Sequence, residues 1–215
     1  MGLTRTLTGS IGVSLILGLT VLSPVQAKDL RLTQGVVVSF AGVKEAKKVL
    51  GSKDGFVTRM SPFDRSARMK TARKVSQREF RAFAAKAARA WKKKDMKKVT
   101  QAIKALKPKL ARLRWKLPKR ILMIKTSGLE EGHAAYTRGN AIILPSKMLG
   151  IGRSKLEALI AHEFFHILSR HNPKLRQKTY RVVGFVPCGE VSLPKDLQRI
   201  KITNPDAPKN DHLIR

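Results

Sequence analysis

His162 and His166 stand four residues apart in Leu156-Glu157-Ala158-Leu159-Ile160-Ala161-His162-Glu163-Phe164-Phe165-His166, where Leu156, Leu159 and Ile160 begin an apolar series at helical spacing. On a helix, side chains at i and i+4 project from one face, one turn apart. Two imidazoles placed this way can bind one tetrahedral Zn2+. Glu163 adjoins the first histidine and can reach a water beside the metal without binding the metal itself, which is the general-base position of His-Glu-x-x-His hydrolases. Zinc lowers the pKa of its water towards ~7, so a carboxylate there can take the proton as the water attacks a polarised carbonyl. The competing reading is a pair of helix histidines satisfied by hydrogen bonds.

The elements that must hold these residues can also be read. Ser154-Lys155-Leu156-Glu157 has the form of a capping box, and the pattern behind it predicts a helix from Ser154 to about Arg170. Asn172-Pro173 ends it and supplies the cap and first position of another helix reaching Gly184. Upstream, Ile121-Leu122-Met123-Ile124-Lys125 suits a buried strand. Ala134 to Thr137 and Ala141 to Leu144 flank Arg138-Gly139-Asn140, where the glycine predicts a bulge or tight bend. These strands are expected to form a mixed sheet beside the metal helix. Ser76-Gln77-Arg78-Glu79 is a second capping box, predicting one long helix through Phe80, Phe83, Ala84, Ala87 and Trp91. A further helix from Met96 to Leu106 precedes Pro108, with the pattern resuming until Pro118. Between positions 28 and 73 only short apolar pieces such as Val36-Val37-Val38 occur, which predicts irregular chain with short helices or a strand. The fold class is α+β, with a basic, mainly helical region at 28–120 and the site-bearing region at 121–215, the two able to form one continuous domain.

The chain has 215 residues and a formal charge of +31, from 45 Lys and Arg against 14 Asp and Glu. Such a balance attracts anionic partners at long range. Fifteen Lys or Arg and a single acid, Asp95, lie between Ala84 and Arg120. Those helices either present a solvated face or dock on an anionic surface. Residues 1–27 read as a secretory signal peptide: Arg5, the apolar run Ile11 to Leu22, and Val25-Gln26-Ala27 as a cleavage site. The run is shorter than the ~20 residues of a membrane-spanning helix. The expected location is therefore secreted or periplasmic, where envelope polymers, lipid headgroups or acidic proteins are met rather than genomic nucleic acid. The single cysteine, Cys188, excludes an internal disulfide.

The motif at 162–166, with the strand before it, resembles the zincin metallopeptidases over roughly Ile121 to Glu190. The resemblance implies a zinc-dependent peptidase whose metal helix packs behind a sheet, and whose edge strand, here Ala134 to Leu144, pairs with extended substrate. The segments Ser61-Pro62-Phe63-Asp64-Arg65, Tyr136-Thr137-Arg138 and Thr203-Asn204-Pro205-Asp206-Ala207-Pro208 also resemble uncharacterised exported proteins carrying this motif. A gluzincin-like comparison implies that a downstream glutamate completes the zinc site, and Glu190 is the first after the motif. In the familiar gluzincins that residue is helical, whereas Pro187-Cys188-Gly189-Glu190 looks like a loop entering a strand. Asp206 and Cys188 remain alternative ligands, His133 and His212 are expected at the surface or behind the ligands, and Tyr136 or Tyr180 could face an oxyanion. The metzincin pattern is not met, because Ser169 and Asn172 occupy its glycine and third-histidine positions. Two rival functions stand beside the peptidase: a hydrolase of non-peptide amides or esters, and a non-enzymatic polyanion- or envelope-binding protein with a structural zinc.

Overall fold

A computed structural model describes residues 29–33, 35–112 and 116–214. The signal peptide expected at 1–27 lies outside them. None of the described helices is long and apolar enough to cross a membrane.

Five strands form the central sheet: β1 (Leu30–Thr33), β2 (Val36–Phe40), β3 (Arg120–Thr126), β4 (Tyr136–Arg138) and β5 (Ala141–Pro145), in the order β1-β2-β3-β5-β4. The β2, β3 and β5 strands run parallel, and the two outer strands are antiparallel to their neighbours. Parallel strands covered on both faces read as continuous apolar runs rather than alternating ones, which is why Val36-Val37-Val38 and Ile121 to Ile124 carry so little polar relief. Strands from both sides of position 120 therefore belong to one sheet.

The two faces are packed by different helices, following the two-residue period of strands. On one face Val38, Ile121, Met123, Ile142 and Leu144 meet Val99, Ile103, Ile160, Phe164 and Ile167, contributed by α5 (Lys93–Ala111) and α6 (Arg153–His171). On the other, Ile124, Ala141 and Ile143 meet Leu50, Phe56, Val57, Phe80 and Ala84. These come from α1 (Val43–Leu50), α2 (Gly55–Arg59) and α4 (Gln77–Lys86). Between α2 and α4 lies α3 (Pro62–Arg68). The result is a three-layer α+β arrangement. Beyond it, α7 (Pro173–Val182), β6 (Phe185–Pro187), α8 (Lys195–Ile200) and β7 (His212–Ile214) follow, with β6 and β7 paired as a separate two-stranded sheet.

Several local expectations change. The Ser76 capping box forms as read, with both reciprocal bonds. The box read at Ser154 does not: α6 starts one residue earlier behind Gly152 without a side-chain cap, and Glu157 instead pairs with Arg153 one turn back. The long helix expected from Ser76 through Trp91 stops at Lys86, and the helix expected from Met96 starts earlier, at Lys93. Between them the chain turns to the sheet: Ala88 bridges Thr126, the Arg89 N–H donates to the Lys125 carbonyl, and the Trp91 indole N–H donates to the Met123 carbonyl. Pro108 does not end α5, which runs on to Ala111. Pro108 and Lys104, whose carbonyl loses its helical partner, are both exposed, so water can satisfy it. The region 28–73, expected to be irregular, supplies two strands and three helices.

Candidate metal centre

Burial of one face of α6 fixes where its histidines point. Leu156, Ile160, Phe164 and Ile167 are buried against the sheet and α5, each side chain contributing about 1.5–3 kcal/mol of apolar burial. His162 and His166 lie on another face of α6. Their Nε2 atoms approach to 2.9 Å, with the rings edge-on at 4.5 Å. Two imidazole nitrogens converging on one point is the placement that the i, i+4 spacing predicts.

Glu163 is 2 % exposed, and its Oε2 is buried with no hydrogen-bond partner. Burial first, and the Asp206 carboxylate second, push its pKa up to about 8. Burial also lowers the pKa of His166, with His162 adding to the effect and Asp206 opposing it. One ligand atom each from Glu163, His166 and Asp206 lies within 4.8 Å of the other two.

Asp206 reaches this point because its loop is pinned at both ends. At the near end, the fully buried Asp64 accepts from the Thr203 N–H at 2.9 Å, while Arg68 donates to the Thr203 carbonyl at 2.8 Å and to Asp64 at 2.7 Å. Arg68 also pairs with Glu131. At the far end, Asp206 Oδ1 accepts from both the N–H and the hydroxyl of Thr137, each at 2.6 Å. Arg170, one turn beyond His166, donates to the Asp206 carbonyl at 3.1 Å, to Thr137 Oγ1 at 2.9 Å and to the Gly139 carbonyl at 2.6 Å. The segments around Asp64, Thr137 and Asp206, separate in the sequence, thus meet behind one carboxylate.

Of the residues chosen from the sequence, the structure brings His162, Glu163 and His166 to one place and adds Asp206. It does not bring Glu190 into this group. Both Glu190 oxygens accept from Arg59, Oε1 from Nε at 2.5 Å and Oε2 from Nη2 at 2.7 Å, and this bond to Arg59 lowers the Glu190 pKa. A carboxylate held by both oxygens on one guanidinium is already engaged in the geometry that arginine favours. Cys188 is half-buried, with its N–H bonded to the Asp211 carbonyl. Tyr136 is fully buried on the opposite face of the sheet, its hydroxyl 3.4 Å from Glu130, and so does not face the histidines. Tyr180 stacks edge-on against His212 at 4.8 Å.

The edge strand also differs from its expectation. Ala134 to Leu144 is not one edge strand but a hairpin, closed by Gly139 at φ +55°, in which only β4 lies at the edge. On β4 the outward Thr137 N–H is committed to Asp206, and the neighbouring Gly139 carbonyl to Arg170. Those two groups are not free for pairing with an added strand.

A zinc ion fits the donor set on chemical grounds. Two converging imidazoles and a carboxylate are ligands of the kind that zinc takes, and an orphaned buried carboxylate oxygen on Glu163 stands beside them. No family model, curated protein or solved structure matches the chain.

Proposed function

We propose that the chain is a zinc-dependent hydrolase, zincin-like in its α6 site, acting on peptide bonds. The observation that carries the reading is the convergence of His162 and His166 Nε2 at 2.9 Å beside the buried Glu163, whose Oε2 has no hydrogen-bond partner among the described residues. His162, His166 and Asp206 would hold the ion, with Asp206 taking the place that the sequence comparison gave to Glu190. Zinc, when bound, supplies a Lewis acid that polarises a carbonyl and acidifies water.

The protein's own groups do the rest. Thr137 orients the Asp206 carboxylate by occupying Oδ1, which leaves Oδ2 for the metal side, and Arg170 holds the Asp206 backbone carbonyl. The buried face of α6 fixes both imidazoles. Glu163 takes a proton from the attacking water and returns it to the leaving amine. Burial raises the Glu163 pKa above the ordinary carboxyl range, the direction in which a general base is tuned towards the working pH. Glu163→Gln is expected to keep zinc and lose turnover of a peptide library by at least the ~100-fold typical of a general base. Full turnover in that variant would end the mechanism.

A second reading is favoured by one feature of α5. Lys93, Lys94, Lys97, Lys104 and Lys107 are exposed, and none is in an ion pair among the described residues, where Asp95 of the same helix is spent on Lys125. Such a face suits docking on anionic envelope polymers or lipid headgroups. Binding to them that falls with salt and survives chelation of zinc would support it.

A further inference from the structure

Beside His166 there is a cavity of about 720 Å3, lined in part by Arg170, Arg176, Tyr180, Asp211 and His212. Two nitrogen atoms of these lining residues, Arg176 Nε and His212 Nε2, are buried and have no hydrogen-bond partner. The His212 side chain is only 8 % exposed. One carboxylate fixes both groups: Asp211 Oδ2 accepts from Arg176 Nη2 at 3.2 Å, and Oδ1 lies 2.7 Å from His212 Nδ1. The Tyr180 ring braces His212, and Phe185 lies 6.1 Å from Tyr180 in turn.

An arginine Nε–H is a donor in every state, and burying a donor without an acceptor is costly. The charge around the cavity indicates which acceptor belongs there. Among the described residues Arg170 is held by two carbonyls and a hydroxyl, and no carboxylate pairs with it directly. Lys209 adds a further positive charge to the lining. Against these stand Asp211, already shared between Arg176 and His212, and Asp206, assigned to the metal. The lining therefore has more cations than anions to balance them.

We propose that this cavity is a carboxylate-binding subsite, in which Arg176 Nε–H and the Asp211-held His212 grip a substrate carboxylate adjacent to the bond cleaved at His166. An imidazolium donates through both ring nitrogens, so His212 in that form holds Asp211 through Nδ1 and the substrate carboxylate through Nε2. The proposal rests on the peptidase reading and narrows its substrate class to peptides with a carboxylate next to the scissile bond. That carboxylate comes from an acidic side chain or from the free C-terminus.

Binding without turnover tests this, so its outcome is separable from that of the hydrolase reading. The purified chain, metal-free and zinc-loaded, is titrated with N-acetyl-glutamate amide, N-acetyl-alanine and N-acetyl-glutamine amide while the Arg176 Nε–H and His212 ring resonances are followed. At least one carboxylate probe is expected to shift both signals saturably, and the neutral amide to shift neither. A response to N-acetyl-glutamate amide alone assigns an acidic side chain, and one to N-acetyl-alanine alone a free C-terminus. Arg176→Lys, which keeps the charge but not the Nε–H, and His212→Gln are each expected to weaken binding at least tenfold with thermal unfolding little changed. Equal binding of the neutral amide, or no shift at Arg176 with any probe, overturns the proposal. Carboxylate binding by a chain that takes no zinc would leave the subsite standing and remove the peptidase.

Discussion

Asp206 has two separable jobs, and two substitutions pull them apart. Its Oδ1 satisfies both the N–H and the hydroxyl of Thr137, a residue with 0 % exposure. Asp206→Ala strands two buried donors, each costing about 1–3 kcal/mol, so a loss of about 2–6 kcal/mol is expected. Asp206→Asn keeps a carbonyl oxygen in the same position and loses only the charge, so about 1 kcal/mol is expected from weaker hydrogen bonds. Metal linkage behaves differently. At zinc one hundred times its Kd, the native chain gains about 2.7 kcal/mol from binding. If losing the third ligand weakens zinc about 100-fold, Asp206→Asn gains only about 0.4 kcal/mol at the same concentration. In urea titrations with a slope of about 2 kcal/mol per molar, the native midpoint rises by about 1.3 M with zinc and that of Asp206→Asn by about 0.2 M. An undiminished zinc shift in Asp206→Asn would refute Asp206 as a ligand. Equal destabilisation by Ala and Asn would refute the role given to Oδ1.

Three further outcomes are expected. The Ser76 and Arg73 bonds hold the Glu79 pKa down at about 2, so the capping box stabilises above the unfolded carboxyl range and this stabilisation is lost as pH falls through about 2. Glu79→Gln should flatten that limb of an acid titration followed by circular dichroism; an unchanged curve would remove the box as its cause. Lys125 and Asp95 form a buried pair at 2.6 Å. Lys125→Met should therefore cost about 3–5 kcal/mol, with much of the loss recovered in Lys125→Met/Asp95→Leu, and an additive double variant would contradict the pairing. Glu190→Ala breaks only the exposed contact with Arg59 and should leave the zinc-dependent midpoint shift intact, whereas loss of that shift would restore Glu190 as a ligand.

What the sequence revealed followed from local periodicity. The α6 helix ran within one residue of its expected ends because its apolar spacing and the Asn172-Pro173 stop are both local signals. The bend at Gly139 was legible for the same reason, but that it folds Ala134 to Leu144 into a hairpin with only β4 at the edge was not. The Ser154 box was not, because Arg153 competes for Glu157. Strand β2 was under-read, since a short apolar run gains its identity only by pairing with β3, about eighty residues away. Asp206 was legible as a turn residue and as an alternative ligand, but nothing local ranked it above Glu190 as the neighbour of His166. Its position depends on Asp64, Thr137 and Arg170, three contacts with no shared spacing. Glu190 was chosen by analogy, and nothing in its local sequence announced Arg59 as its partner.

The central claim is that α6 carries a metal site. Elemental analysis of the purified chain after zinc exposure and dialysis tests it most directly, alongside His162→Ala, His166→Ala and Glu163→Gln. About one zinc per chain is expected in the native protein and in Glu163→Gln, with marked loss in both histidine variants. Zinc-free native protein, or full zinc retention in His162→Ala and His166→Ala, would leave the two imidazoles as a hydrogen-bonded pair without a metal.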